Sequence, residues 1–157
     1  LIEVMGRHAG FIALDVAIAG GAEEVLLPEV KLGLKELGER LMEGIARGKG
    51  SSIVIVAEGY DSGGAEAVAR RLREDCAIET RVLVLGHLQR GGSPTAADRL
   101  LGTELGAYAV DLFIGGTTGV MAGKVNGKLV ATPLVEAISL KKPLNRYLLG
   151  IMRALAS

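Results

Sequence analysis

The sequence has little that would suit a membrane, a secreted scaffold or a nucleic-acid surface. It holds a single cysteine, Cys76, which excludes an intramolecular disulfide. No apolar run approaches the roughly 20 residues that cross a bilayer. Neither sign of charge is in excess, with 18 Lys and Arg against 18 Asp and Glu, so any anion-binding site has to be local. There is no internal repeat, no low-complexity stretch and no signal peptide. Leu1-Ile2-Glu3-Val4 reads as the tail of a buried strand, so the chain is expected to begin in mid-fold. A reducing compartment, most simply the cytoplasm, fits this composition.

What the sequence does have is hydrophobic bulk, 49% of residues, in a length that suits one compact domain. Short aliphatic runs alternate with helix-length segments, a βαβ rhythm. Strands are expected over 24–27, 52–57 and 81–85, and helices over 10–19, 34–47 and 64–75. The second and third strands are nearly continuous apolar runs, which predicts parallel strands covered on both faces. The first helix carries Asp15 as its only charge and is expected to be buried nearly all round. The second shows one apolar stripe, Leu34, Leu37, Leu41 and Ile45. Beyond Arg90 the pattern changes. Ser93-Pro94 predicts the start of a long helix running to about 113, with Ser93 as N-cap. Asn126-Gly127, between apolar segments 120–124 and 128–131, predicts a two-residue hairpin.

In open α/β sheets ligands bind beyond the carboxyl ends of the strands. Three predicted strand ends deliver Met5-Gly6-Arg7-His8, Glu58-Gly59, and Gly86-His87 with Arg90. Arginine forks suit phosphate oxygens, glycine lets backbone approach a ligand, and a carboxylate accepts from hydroxyls, a set that fits a sugar phosphate. Each residue alone also reads as an ordinary loop group; their convergence is what favours a site. His8 reads as structural. Arg81 begins the strand that His87 follows, and at about 3.3 Å per residue the two stand roughly 16 Å apart. Arg81 is then either a surface residue paired with Glu79 or another acid, or a group that reaches a neighbouring subunit. A second cluster, Gly20-Gly21-Ala22-Glu23 and Arg47-Gly48-Lys49-Gly50, lies where helices return to strands. Its cations could bind an anion, but helix termination and dipole complementation explain the cluster as well and are the preferred reading from the residues alone.

The segments EVMGRHAG (3–10), AEG (57–59) and ETRVLVLGHLQRGGSP (79–94) together resemble the 6-phosphofructokinase family of the bacterial ATP-dependent type, carboxy-terminal half, over nearly the whole chain. The resemblance implies a Rossmann-like parallel-sheet lobe of that family, incomplete, with a small antiparallel hairpin. It divides the chain into a fructose 6-phosphate lobe (1–87 and 138–157) and an arm (88–137) that would pack with a nucleotide-binding lobe not in this sequence. It implies glycolytic phosphorylation of fructose 6-phosphate at its 1-hydroxyl, with ATP as donor and Mg2+, by a homotetramer. Met5, Gly6, Arg7, Glu58, His87 and Arg90 would surround the sugar phosphate, with Arg7 also supporting the transferred phosphoryl group. Arg81 would reach the 6-phosphate across a subunit interface. Gly21, Glu23, Arg47 and Lys49 would form an effector site for ADP or phosphoenolpyruvate, with Glu23 near the effector's magnesium. Gly50 stands where many bacterial members carry a second lysine. The family's GGD-type nucleotide loop and its TxDxD segment with the catalytic aspartate are absent from these residues, so the isolated chain is expected to be inactive. A pyrophosphate-dependent phosphofructokinase and a non-catalytic sugar-phosphate or effector-binding fragment are the alternatives.

Overall fold

The computed structural model describes residues 1–61 and 63–156. The chain divides into two compact units, Leu1–Gly91 with Leu144–Ser157, and Gly92–Pro143. The divisions fall a few residues beyond the expected 87/88 and 137/138.

The first unit is a four-stranded parallel sheet in the order β2-β3-β1-β4. Its strands are β1 (Ile2–Val4), β2 (Glu24–Leu26), β3 (Val54–Ala57) and β4 (Leu83–Val84). Side chains alternate across a strand, so a run that is apolar at every position can feed two cores. In β3, Ile55 and Ala57 join one core with Val4 of β1, Leu14 of α1 (Phe11–Gly20), and Leu149 and Met152 of α6 (Arg146–Ala156). Val54 and Val56 join the other with Leu37, Val68 and Leu72, from α2 (Leu34–Ala46) and α3 (Gly64–Cys76). Three layers result, with β3 and β1 at the centre.

Three expectations are corrected here. The 81–85 run forms a ladder only at Leu83 and Val84, and these are 53% and 51% exposed, because β4 is the edge strand and lacks cover. Helix α1 is buried on one face alone: Ala13, Leu14 and Ala17 face the sheet while Ile12 and Val16 are exposed. The stripe of α2 holds at Leu34, Leu37 and Leu41 but ends before Ile45, which is exposed.

In the second unit α4 (Ala96–Ile114) precedes the hairpin of β5 (Val120–Val125) and β6 (Lys128–Pro133), followed by α5 (Leu134–Ser139). Asn126 and Gly127 both take positive φ, 50° and 78°, as a two-residue turn matched to strand twist requires. The N-cap of α4 is Thr95, not Ser93. Thr95 Oγ1 accepts the Asp98 N–H at 3.3 Å, and the Asp98 carboxylate accepts the Thr95 N–H at 2.8 Å. This reciprocal capping box satisfies two orphan donors at once, which outweighs the start signal of the Ser93-Pro94 pair just before it. Lys124 of β5 pairs with Glu104 of α4. No residue of α4 is buried.

Candidate functional site

Because all four strands run parallel, the segments after β1, β3 and β4 emerge at one sheet edge. Glu58 directly follows β3, and its N–H continues the ladder to Val4 O at 3.0 Å. Its Oε1 then accepts the Gly6 N–H at 3.1 Å and also the Arg7 N–H. One carboxylate oxygen therefore holds two successive amides of the loop after β1. Ala9 N–H closes that loop onto Gly6 O at 3.0 Å. Arg7 sits at φ 53°, in the left-handed region that a non-glycine residue seldom occupies without surrounding support. The close approach continues at Gly59, where a Cβ would meet Arg7 O at 1.9 Å.

After β4 the chain forms a short 3-10 helix, Gly86–Arg90, carrying both His87 and Arg90. Gln89 ties this helix to the loop after β1: its Oε1 accepts the Met5 N–H at 3.4 Å while its Nε2 donates to Gly86 O at 3.3 Å. Met5, Gly6, Arg7, Glu58, His87 and Arg90 are thus brought to one edge, with Arg7, His8, His87 and Arg90 exposed. Two supporting residues were not foreseen. Gln89 lies inside the resembling segment, yet its bond to Met5 spans 84 residues and leaves no local signature. Glu29, after β2, accepts the Gly10 N–H on both oxygens, at 2.9 and 3.1 Å, and so anchors the start of α1.

Arg81 lies at the other end of β4, as strand geometry requires. Its carbonyl accepts from the Leu1 ammonium at 2.7 Å, and its side chain borders a 550 Å³ hollow with Ser51, Ser52 and Thr80. The ion pair with Glu79 does not form; Glu79 lies 3.2 Å from Arg73 Nε instead.

The same edge holds the second cluster. Glu23 is locked to Ile53, the residue before β3, its N–H donating to Ile53 O at 2.9 Å and its Oε2 accepting the Ile53 N–H at 2.5 Å. Glu23, Arg47 and Lys49 share a cavity of about 290 Å³, which Arg40 and Arg153 also line. Gly21 does not border it. This residue caps the end of α1 and lines an adjoining 130 Å³ hollow with Glu23 and Lys49. Arg40 and Arg153 were not foreseen, because α2 and α6 lie far apart in sequence and only the fold brings them together.

Among the described residues no group of three His, Cys, Asp or Glu side chains could hold a metal ion, and no helix is long and apolar enough to cross a membrane. Magnesium commonly binds through one or two carboxylates together with phosphate oxygens, so Glu23 fits an ion that arrives on a nucleotide but not a protein-built cage.

A family model described as phosphofructokinase matches residues 1–113. The chain is 54% identical over 155 residues to the ATP-dependent 6-phosphofructokinase 1 of Thermus thermophilus, covering 99% of this chain and 48% of that protein. The crystal structure of Pichia pastoris phosphofructokinase in the T-state superposes with a TM-score of 0.74 at 30% identity, over 98% of this chain and 18% of that one. A pyrophosphate-dependent phosphofructokinase from Marinobacter aquaeolei superposes with a TM-score of 0.76 at 25% identity, over 93% of this chain and 41% of that one. The chain spans about half the length of the curated relatives it matches.

Proposed function

The chain belongs to the phosphofructokinase family, and on that premise we propose that it supplies the sugar-phosphate half of an active site that phosphorylates fructose 6-phosphate at its 1-hydroxyl. The observation that carries this reading is the shared Glu58 oxygen. By holding the Gly6 and Arg7 amides it fixes the loop in which Arg7 takes its left-handed conformation. Arg7 and Arg90 then offer planar donor forks to phosphate oxygens, and His87 offers a further donor. Met5 and Gly6 form the wall, kept in register by Gln89. Arg7, with its planar cationic guanidinium, also suits the charge that develops on a transferred phosphoryl group.

Arg81 stands at the opposite sheet edge from His87 and serves the equivalent site of a neighbouring copy, which makes the working protein a homo-oligomer, a tetramer in our reading. Gly21, Glu23, Arg47 and Lys49 belong to a phosphate-binding effector pocket for ADP or phosphoenolpyruvate, with Glu23 beside the magnesium of ADP. The arm, residues 88–137, packs with a nucleotide-binding lobe supplied by residues outside this sequence, and the protein works in the cytoplasm. Magnesium bound with ATP supplies neutralisation of phosphate charge, and these residues bind and orient the acceptor sugar.

ATP is the donor named for the curated relatives. The pyrophosphate-dependent neighbour, with its TM-score of 0.76, keeps pyrophosphate as a second reading. A coupled assay of the intact natural polypeptide separates them. Fructose 1,6-bisphosphate formed with ATP and magnesium, but not with pyrophosphate, is the expected result. Formation with pyrophosphate alone transfers the reading to the second donor, and formation with neither removes the proposal.

A further inference from the structure

Glu24 is the buried charged side chain among the described residues, only 2% exposed. It starts β2, directly after Glu23. Two helices approach its carboxylate. Oε2 pairs with Arg40 of α2, whose other terminal nitrogen lies 2.7 Å from Glu36. Oε1 accepts the Val25 N–H at 3.1 Å and lies 3.5 Å from Arg153 Nε of α6. That last contact is electrostatic only: Arg153 Nε is buried and has no hydrogen-bond partner. Glu24, Arg40 and Arg153 all line the 290 Å³ cavity that Glu23, Arg47 and Lys49 share. Its walls carry four cationic side chains, against the three carboxylates of Glu23, Glu24 and Glu43.

A buried ion pair is a poor way to gain stability, because desolvation consumes most of the attraction and an apolar side chain of similar volume does as well. The arrangement makes more sense as the resting state of a pocket. A carboxylate buried behind two guanidinium groups neutralises them while the cavity is empty, and repels any anion that enters. Arg153 is under-satisfied in that state, since its Nε faces a charge without a hydrogen bond. The cavity is at the small end of ligand pockets, which fits a small phosphorylated metabolite.

We propose that Glu24 is a resident counter-ion of this pocket, competing with an incoming phosphate group for Arg40 and Arg153, and that Arg153 thereby makes the C-terminal helix part of the pocket. The proposal rests on the phosphate-binding reading of Glu23, Arg47 and Lys49. Its consequence is that removing the internal anion and removing the arginine act in opposite directions on ligand affinity, although both break the same contact.

Calorimetric titration of the intact natural polypeptide with inorganic phosphate, ADP and phosphoenolpyruvate tests this. Binding of all three marks the phosphate group itself as what the pocket takes, and binding of one organic ligand alone identifies its source. For the ligand that binds, Arg153→Met weakens binding by about tenfold, the scale of a charge-assisted hydrogen bond, while Glu24→Gln tightens it several-fold. If both substitutions shift affinity in the same direction while Arg47→Ala still weakens binding, the pair is only a brace: this proposal falls and the phosphate pocket stands. If the unaltered protein binds none of the three, both fall. Should Glu24→Gln not fold, Arg153→Lys decides in its place. The retained charge keeps most of the affinity if Arg153 meets the anion, and a loss equal to that of Arg153→Met means packing alone and overturns the proposal.

Discussion

Glu58 Oε1 receives two amides from a loop 51 and 52 residues away in sequence, and those bonds hold Arg7 in a backbone conformation it would not choose alone. Glu58→Ala leaves both N–H groups without their charged acceptor and is expected to lower stability by about 2 kcal/mol in urea unfolding, the range for hydrogen bonds to charged groups. The same change is expected to weaken fructose 6-phosphate binding, because Arg7 is then free to leave its left-handed well; unaltered affinity would show that the loop holds itself. The sequence points to Glu58 but suggests that it accepts from a ligand hydroxyl. Its hold on backbone is invisible there, since its partners are unremarkable amides brought close only by the pairing of β1 with β3. Arg40 and Arg153 escape a sequence reading for the same reason: neither neighbours Glu24 along the chain.

At the scale of elements, the apolar pattern marks α1, α2 and α3 and the hairpin turn, because helix-length apolar segments and Asn-Gly are local signals, but it marks no helix at α6. It misjudges how far each is covered. An all-apolar run such as 81–85 fits a central strand as well as an edge strand, and only the sheet order decides. The start of α4 was expected from Ser93-Pro94, and the structure sets it instead at the Thr95 and Asp98 capping box. That cap makes a prediction with a definite sign. The Thr95 hydroxyl, and then its N–H, hold the Asp98 carboxyl below its ordinary value of 3.8. A carboxyl whose folded value is depressed stabilises the fold above its ordinary value and loses that contribution as pH falls through the folded one. Thr95→Ala is therefore expected to reduce α4 helicity at neutral pH, measured by far-ultraviolet circular dichroism. The gap from the unaltered chain should close as pH drops below 3.8. A gap that persists in acid would mean that the cap works without Asp98.

At the scale of the whole molecule, the first unit has a core on each side of its sheet, whereas α4 buries no residue at all. Leu100, Val110, Phe113 and Ile114 are 66%, 56%, 72% and 78% exposed. Apolar surface on that scale drives association. The 157-residue chain by itself is expected to elute larger than its mass with rising concentration in size-exclusion chromatography and to show no phosphofructokinase activity; a concentration-independent monomer would mean that α4 needs no cover. The fold class was legible because it rests on alternating strand and helix runs and dense motifs. The two units part at Gly91-Gly92 and Pro143-Leu144, where the sequence carries no signal stronger than neighbouring turns.

The most direct test of the central claim is a steady-state comparison of the intact natural polypeptide with its Arg90→Ala variant, titrating each substrate in turn. If this chain supplies the sugar-phosphate site, KM for fructose 6-phosphate rises by about tenfold or more, as for a lost charge-assisted contact, while KM for ATP stays within about twofold. Equal changes in both constants, or none in either, would contradict it.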